Sequence, residues 1–416
     1  MYGVLQIVVD NGAGFHGARL AARRDLAERD RHEIANVRLQ LAVSGALLGT
    51  AVAAIGGFAL LLAFAPFAAA LCLFALLNVW EPYGEGRVLP YAIYIVLRSA
   101  MLALVVGAFA IVGTELAIAA VGLCEFAAIG ITGLGFAAWL SPHGVHRVRR
   151  RTWRSVFDIG LPALITQYNF AVITIVLGVT GRTSAAAVSG VTFRLLSGVQ
   201  SVNGAAVAAI FPRIARSISP GAAALRASSL AAWGIVAVSY IAVLATAITA
   251  PLLVFGFLAT SGEAEQATLV LGIGGAASAG LVMHQSFSLV ARGLERRLLW
   301  SFAMGALVIT LAGFVAASVG EQEGPLIAAA GFVGGQILTL VLLFRAADAL
   351  GEAHTTDRAL VVVAAGLVPA LALALALAGE DRIWIASTLA AASAVIAVVI
   401  RISWHSRSAA STDSDC

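Results

Sequence analysis

The chain has 416 residues, of which 60% are hydrophobic and 12% charged, with a mean hydropathy of +0.95. A soluble domain keeps about 25% charged residues, so this composition excludes a water-facing globular surface and specifies a polytopic membrane protein. The 26 basic residues are all arginine and face 22 acids, a net charge of +4; without lysine, neither a Walker A loop nor a Schiff-base enzyme can be built.

Lipid offers the backbone no hydrogen bonds, so spans are helices or a closed barrel. Long apolar runs without period-two alternation exclude the barrel. The runs fall at 1–18, 38–57, 59–79, 89–112, 115–139, 157–180, 184–210, 229–256, 266–290, 298–319, 325–345, 359–378 and 383–403. The expectation is an all-α protein of about 13 spans, with boundaries good to roughly 2–4 residues.

The first run is short and irregular, with Asp10, Asn11 and His16 inside it, and it starts abruptly in apolar sequence. That pattern predicts a preceding helix. The charged stretch 18–34 reads as a helical connector whose mixed signs form a solvated face. Cys72 and Cys124 lie in apolar runs and Cys416 in the tail, without metal or disulfide spacing, so they read as packing residues. Arg98 falls in the fourth run and Glu125 in the fifth. The basic segment 146–154, HRVRRRTWR, reads as a topology signal and a contact for anionic headgroups rather than nucleic acid. Asp158 reads as the N-cap of the next helix.

Arg194 is about ten residues into its run, roughly 15 Å at helical rise, near mid-membrane. A cation at that depth costs roughly 2.5–3.5 kcal/mol on insertion scales. It is tolerated beside a water-filled cavity, an anionic cargo, or a buried acid such as Glu125. Gln200 and Asn203, three apart, share a face roughly opposite Arg194. His284 with Gln285 reads as buried packing. Gly272, Gly274, Gly275 and the Gly334-Gly335 pair permit close helix contact. The tail 404–416 is small and polar.

Alternating sides from the first run puts loops 19–37, 80–88, 140–156, 211–228, 291–297, 346–358 and 404–416 on one face. Counting residues at the span edges, that face carries 22 of the 26 arginines. The other face holds Arg182 and Arg382 with Glu115, Glu263, Glu265, Glu321, Glu323, Glu380 and Asp381. The positive-inside rule places the Arg-rich loops and C-terminus in the cytoplasm. The basic loop also divides the chain: an N-terminal lobe at 1–140, a connector at 141–156, a C-terminal lobe at 157–346, two further helices within 347–403, and the tail at 404–416. Two such halves with a site between them near the midplane form a common transporter plan.

Specific residues then resemble a known family. Residues 2–25, YGVLQIVVDNGAGFHGARLAARRD, are similar to a helix of bacterial lipid-linked oligosaccharide flippases, the O-antigen and polysaccharide transporters of the multidrug/oligosaccharidyl-lipid/polysaccharide (MOP) superfamily. The turn Asp10-Asn11-Gly12-Ala13-Gly14-Phe15 and Arg19 carry that likeness. Residues 78–102 resemble the family's short cytoplasmic turn and fifth helix. Residues 158–216 resemble its seventh and eighth helices, with Arg194 at a position where members often carry Lys or Arg and Phe211-Pro212-Arg213 at the end. The resemblance implies two helical lobes around a central cavity, of a 14-helix type lacking its first helix. It implies flipping of an undecaprenyl-pyrophosphate-linked oligosaccharide to the outer leaflet by alternating access. The implied partners are that lipid-linked substrate, membrane lipids, a polysaccharide polymerase and glycosyltransferases; no cofactor and no nucleic acid are expected.

The candidate substrate-binding residues are Arg194, Arg98, Arg19, Gln167, Asn169, Gln200 and Asn203. An arginine fork suits a pyrophosphate because it is planar and always charged. Arg98 has snorkelling as its alternative, and Arg19 either guides a headgroup or anchors its helix. The four amides contact sugar hydroxyls or hydrogen-bond between helices. Glu125 and Asp10 are the candidate ion-coupling acids. The competing function in the same superfamily is a multidrug antiporter, for which an acid-dominated cavity is expected. A membrane enzyme of polysaccharide assembly is disfavoured by the short outer loops.

Overall fold

The computed structural model describes residues 12–77, 80–86, a few positions between 122 and 131, 148–216, 222–258, 262–319, 321, 323–348 and 358–390. Asp10, Arg98 and Glu125 lie outside the described residues, as do the tail and nearly all of the fourth and fifth predicted runs.

The first lobe contributes α1 (Ala13–Arg23), α2 (Glu28–Ile55), α3 (Phe58–Leu76) and the short α4 (Trp80–Gly84). The second comprises α5 (Arg150–Val179), α6 (Thr183–Ala215), α7 (Ala222–Leu258), α8 (Glu263–Gly274), α9 (Ala276–Arg292), α10 (Leu298–Ser318) and α11 (Gly324–Asp348), and α12 (Arg358–Leu377), from the further C-terminal segment, packs on it. Among the described residues seven helices are long and apolar enough to span a membrane. Observed helices fall on the predicted apolar runs, usually extended by polar turns at their ends.

The run at 266–290 forms two abutting helices, α8 and α9, which meet at Gly275. This pair is the axis of the second lobe and is almost entirely buried. α6, α7, α11 and α12 pack around it, and α10 packs on α5 and α11. The apolar core joins Ile173 and Leu177 of α5, Phe193 and Leu196 of α6, Val270 and Ile273 of α8, and Phe332 of α11. Large apolar side chains such as Trp233, Ile241 and Phe255 of α7, and Trp300, Leu311 and Phe314 of α10, are exposed, as lipid-facing surfaces require.

Two local expectations are corrected. The charged stretch 18–34 is not one solvated helix. It breaks after Arg23 at Arg24, whose φ of 59° is left-handed; Arg24, Asp25, Glu28 and Arg29 are solvated as expected, but two of its charges turn inward. Arg19 is 7% exposed and Glu33 is fully buried. Glu33 accepts from Thr152 Oγ1 at 2.6 Å and pairs with Arg149 at 2.7 Å, tying α2 to the start of α5. Asp158 is not an N-cap. α5 starts two turns earlier, at Arg150, because Val156 and Trp153 pack on Ala13, Ile34, Val37 and Trp80. Asp158 instead lies 3.6 Å from Arg296.

Candidate functional site

α6 organises the space between the lobes. Its buried faces carry Thr192, Phe193, Leu196, Gln200, Asn203 and Val207; its exposed stripe runs through Arg194, Ser197, Gly198, Ser201, Ala205 and Ala209. Val202 is also exposed there, at 56%, but the other exposed residues are small or polar, unlike the Trp, Phe, Ile and Leu on the lipid-facing sides of α7 and α10. At its lower end the stripe meets the first lobe, where Tyr83 Oη donates to Ala208 O at 3.1 Å. About 21 Å further along the helix the same side carries Arg194. A Cβ at Gly198 would meet nothing within 4 Å. Among the described residues the lobes meet at the Ala208 end of α6, and the upper half of its stripe is exposed.

The joined end is the Arg-rich end, and its chemistry is arginine satisfying helix C-terminal carbonyls. Such carbonyls lack intrahelical partners and carry the negative end of the helix dipole. Arg19 of α1 donates to Val290 O at 3.0 Å, near the end of α9, and pairs with Glu295 at 2.8 Å. Arg23 donates to Ala291 O at 2.7 Å and to Ala215 O, the end of α6, at 3.2 Å. In the reverse direction, Arg216 of the second lobe donates to Glu85 O beyond α4 at 3.0 Å. Gly293, with φ of 85°, ends α9 in a left-handed turn that brings Glu295 to Arg19. Beneath these polar bonds Phe15 and Tyr83 of the first lobe pack on Phe211 and Phe287 of the second, with Phe15 and Phe287 4.5 Å apart edge to face.

Each predicted binding residue within the described part of the chain now has a position. Arg194 is exposed on the open stripe and makes no ion pair or hydrogen bond among the described residues. Arg19 is buried in the seal, where its bonds to Val290 O and Glu295 anchor α1 to the second lobe, the second of its two expected roles. Gln200 and Asn203 share the face opposite Arg194, as their spacing predicts. Gln200 Nε2 donates across to Ala276 O at 2.8 Å, the interhelical alternative. Asn203 is buried against Gly280, where a Cβ would lie 2.7 Å from its amide nitrogen, and its own amide has no partner among the described residues. Gln167 is exposed, while Asn169, two residues on, turns into the lobe and is buried. His284 is buried beside Ser228, with Nε2 and Oγ 3.0 Å apart, consistent with a packing role.

A cavity of about 230 Å³ brings Gln167 and Gln200 together with Gln336 of α11 and Ser286 of α9; Phe15 of the first lobe also lines it. Gln336 was missed by sequence reasoning. It sits within the apolar run 325–345 beside the glycine pair, and only its polarity there could have flagged it. No Asp, Glu, Arg or His is among the cavity's described lining residues.

No protein-family model matches the chain. No curated protein matches it. Solved structures do. The chain is similar to an outward-facing multidrug resistance MATE family transporter of the MOP superfamily, at 14% identity over 85% of this chain and 86% of that chain, with a TM-score of 0.65. It is similar to a MOP superfamily transporter from Pyrococcus furiosus whose binding pocket has reverse polarity, at 13% identity over 85% and 86%, with a TM-score of 0.64. Against an inward-facing multidrug resistance MATE family transporter the identity is 15% over 84% and 89%, and the TM-score is 0.55. At these identities the likeness is one of architecture: the chain has the two-lobed helical fold of MOP superfamily transporters.

Proposed function

We propose that the chain is an alternating-access transporter that carries an amphipathic organic substrate across the cytoplasmic membrane, in the manner of the multidrug branch of the superfamily. The observation that carries this reading is the α6 stripe, sealed against the first lobe at Ala208 and open at Arg194. A stripe of mostly small and polar residues, with Val202 as its large apolar member, suits a water-accessible passage better than a lipid contact. If the Arg-rich end is cytoplasmic, as the charge distribution argues, the seal is the cytoplasmic one and the passage opens outward. The higher TM-score to the outward-facing transporter than to the inward-facing one supports that state.

The test is efflux. Cells lacking their own pumps and expressing the chain are loaded with lipophilic fluorescent amphipaths of differing charge, and retention is followed. Accelerated loss of at least one amphipath supports the proposal; unchanged retention across the panel opposes it.

A second reading, a flippase for an undecaprenyl-pyrophosphate-linked oligosaccharide, is favoured by Arg194 alone. A cation held in the open passage without a protein counter-charge among the described residues suits a phosphate-bearing cargo. Under this reading a polysaccharide polymerase and glycosyltransferases are the working partners, and membrane lipid carries the substrate tail. Restoration of surface polysaccharide in a flippase-deficient strain, lost in Arg194→Ala at equal membrane abundance, would establish it. No restoration would remove it.

A further inference from the structure

We propose that an open cavity at the Arg-rich end is a binding site for a phosphate-bearing anion, separate from the passage along α6. The inference goes beyond the transport reading and does not depend on what the protein carries. The cavity, of about 670 Å³, is lined by Arg23 and Arg24 at the end of α1, Arg31 of α2, Glu81 of α4, Glu85 just beyond it, and Arg216 just past α6. That volume falls within the roughly 300–1,000 Å³ of small-ligand sites. A monatomic anion would leave most of it to water.

The cations are within reach of a ligand. Arg24 and Arg216 are exposed, and the Arg31 side chain is 40% exposed. Arg23, Arg24, Arg31 and Arg216 against Glu81 and Glu85 leave an excess of two positive charges among the described lining residues. Arg31 has its counter-ion in Glu81, 2.6 Å away. The other three arginines have no carboxylate within ion-pair distance among the described residues. Arg23 donates to the carbonyls of Ala215 and Ala291, and Arg216 to the backbone carbonyl of Glu85. A helix-end carbonyl supplies a partial charge and leaves the guanidinium with further N–H donors. The Arg24 side chain makes no hydrogen bond or ion pair among the described residues.

Arginines gathered on one concavity repel each other, and a multivalent anion reverses that sign. Phosphate is the anion that planar guanidinium forks match best, two oxygens to a fork. Arg24 belongs to the first lobe and Arg216 to the second, so a phosphate group taken by both adds a contact across the seal. A lipid headgroup and a soluble phosphate compound offer the same chemistry here.

The experiment is equilibrium binding of inorganic pyrophosphate to the full chain in phosphatidylcholine nanodiscs, at constant ionic strength and corrected with empty nanodiscs. Saturable binding is expected. Arg24→Gln, at an exposed residue with no side-chain bond to lose, should weaken it roughly tenfold, and Arg24→Gln with Arg216→Gln further still. Arg345→Gln removes an exposed charge from the same end outside the cavity, and Arg194→Gln removes the cation of the passage. Each should stay within about twofold of the wild type, since salt screens exposed charges that do not touch the ligand. Absence of saturable binding, binding that survives the double substitution, or an equal loss in Arg345→Gln or Arg194→Gln overturns the site. Nanodiscs containing phosphatidic acid, or oleate at equal surface charge, identify the source. A larger fall in pyrophosphate affinity with phosphatidic acid assigns the cavity to a lipid headgroup; equal falls assign it to a soluble phosphate compound. No efflux enters these measurements, so failure of the transport reading leaves the site standing, and failure of the site leaves that reading standing.

Discussion

Every α-helix leaves its last carbonyls without an intrahelical partner, and in this lysine-free chain arginine forks take up several of them. Arg38 donates to Leu77 O and stacks over Phe74, Arg182 donates to Ala317 O, and Arg19, Arg23 and Arg216 do the same across the lobes. Side chains of Arg19 and Glu295 are each 8% exposed. Glu295→Ala leaves a buried cation unpaired and should cost about 3–5 kcal/mol in the sealed state. The exchange Arg19→Glu with Glu295→Arg should recover part of that loss, read as thermal midpoint. Glu33 gives a pH prediction. Burial pushes its carboxyl up, but hydrogen bonds from Thr152, Arg149 and Arg29 outweigh burial and hold it below the usual carboxylate range. A depressed carboxyl contributes stability above the unfolded value of about 4.3, and that stability is lost as pH falls through the folded one. Thermal stability should therefore drop in acid below about pH 4, and Glu33→Gln should flatten that drop while costing about 2 kcal/mol at neutral pH.

At the level of elements, the apolar runs were readable because a lipid-facing helix must be hydrophobic over about 20 residues. Helix ends were not. α5 runs two turns into the basic connector because Trp153 and Val156 have a neighbouring lobe to pack on, which local composition does not announce. The contact of α1 with α4 was equally hidden. A Cβ at Gly17 would strike Trp80, and one at Gly84 would strike the Ala18 backbone, so the two helices approach closely through their glycines. Gly84→Val should separate them at a cost of at least about 1–3 kcal/mol, seen as a lower thermal midpoint. Gly293→Ala, at φ of 85°, should cost roughly 1 kcal/mol by straining the turn that presents Glu295.

For the whole molecule, the cross-lobe caps make opening of the Arg-rich end a cooperative event. Several guanidinium bonds and the Phe15, Phe211, Phe287 and Tyr83 cluster must part together. Arg23→Ala removes two of those bonds and touches neither the second-lobe cavity nor Arg194. It should raise the reaction rate of a cysteine placed at Ala208 with a membrane-impermeant maleimide by roughly tenfold, equivalent to about 1.4 kcal/mol of lost closure. An unchanged rate would mean that the aromatic cluster closes that end by itself.

Composition alone dictated a polytopic helical protein, and the apolar periods located the described spans, because both follow from the solvent each residue must meet. The spacing of Gln200, Asn203 and Arg194 likewise set which side chains oppose one another on α6, since one helix has one pitch. Burial of Arg19 in a seal, conversion of Asp158 from cap to ion-pair partner, and convergence of Gln336 with Gln167 and Gln200 were decided only when the helices packed. Each depends on a partner more than a hundred residues away, and no local pattern carries that information.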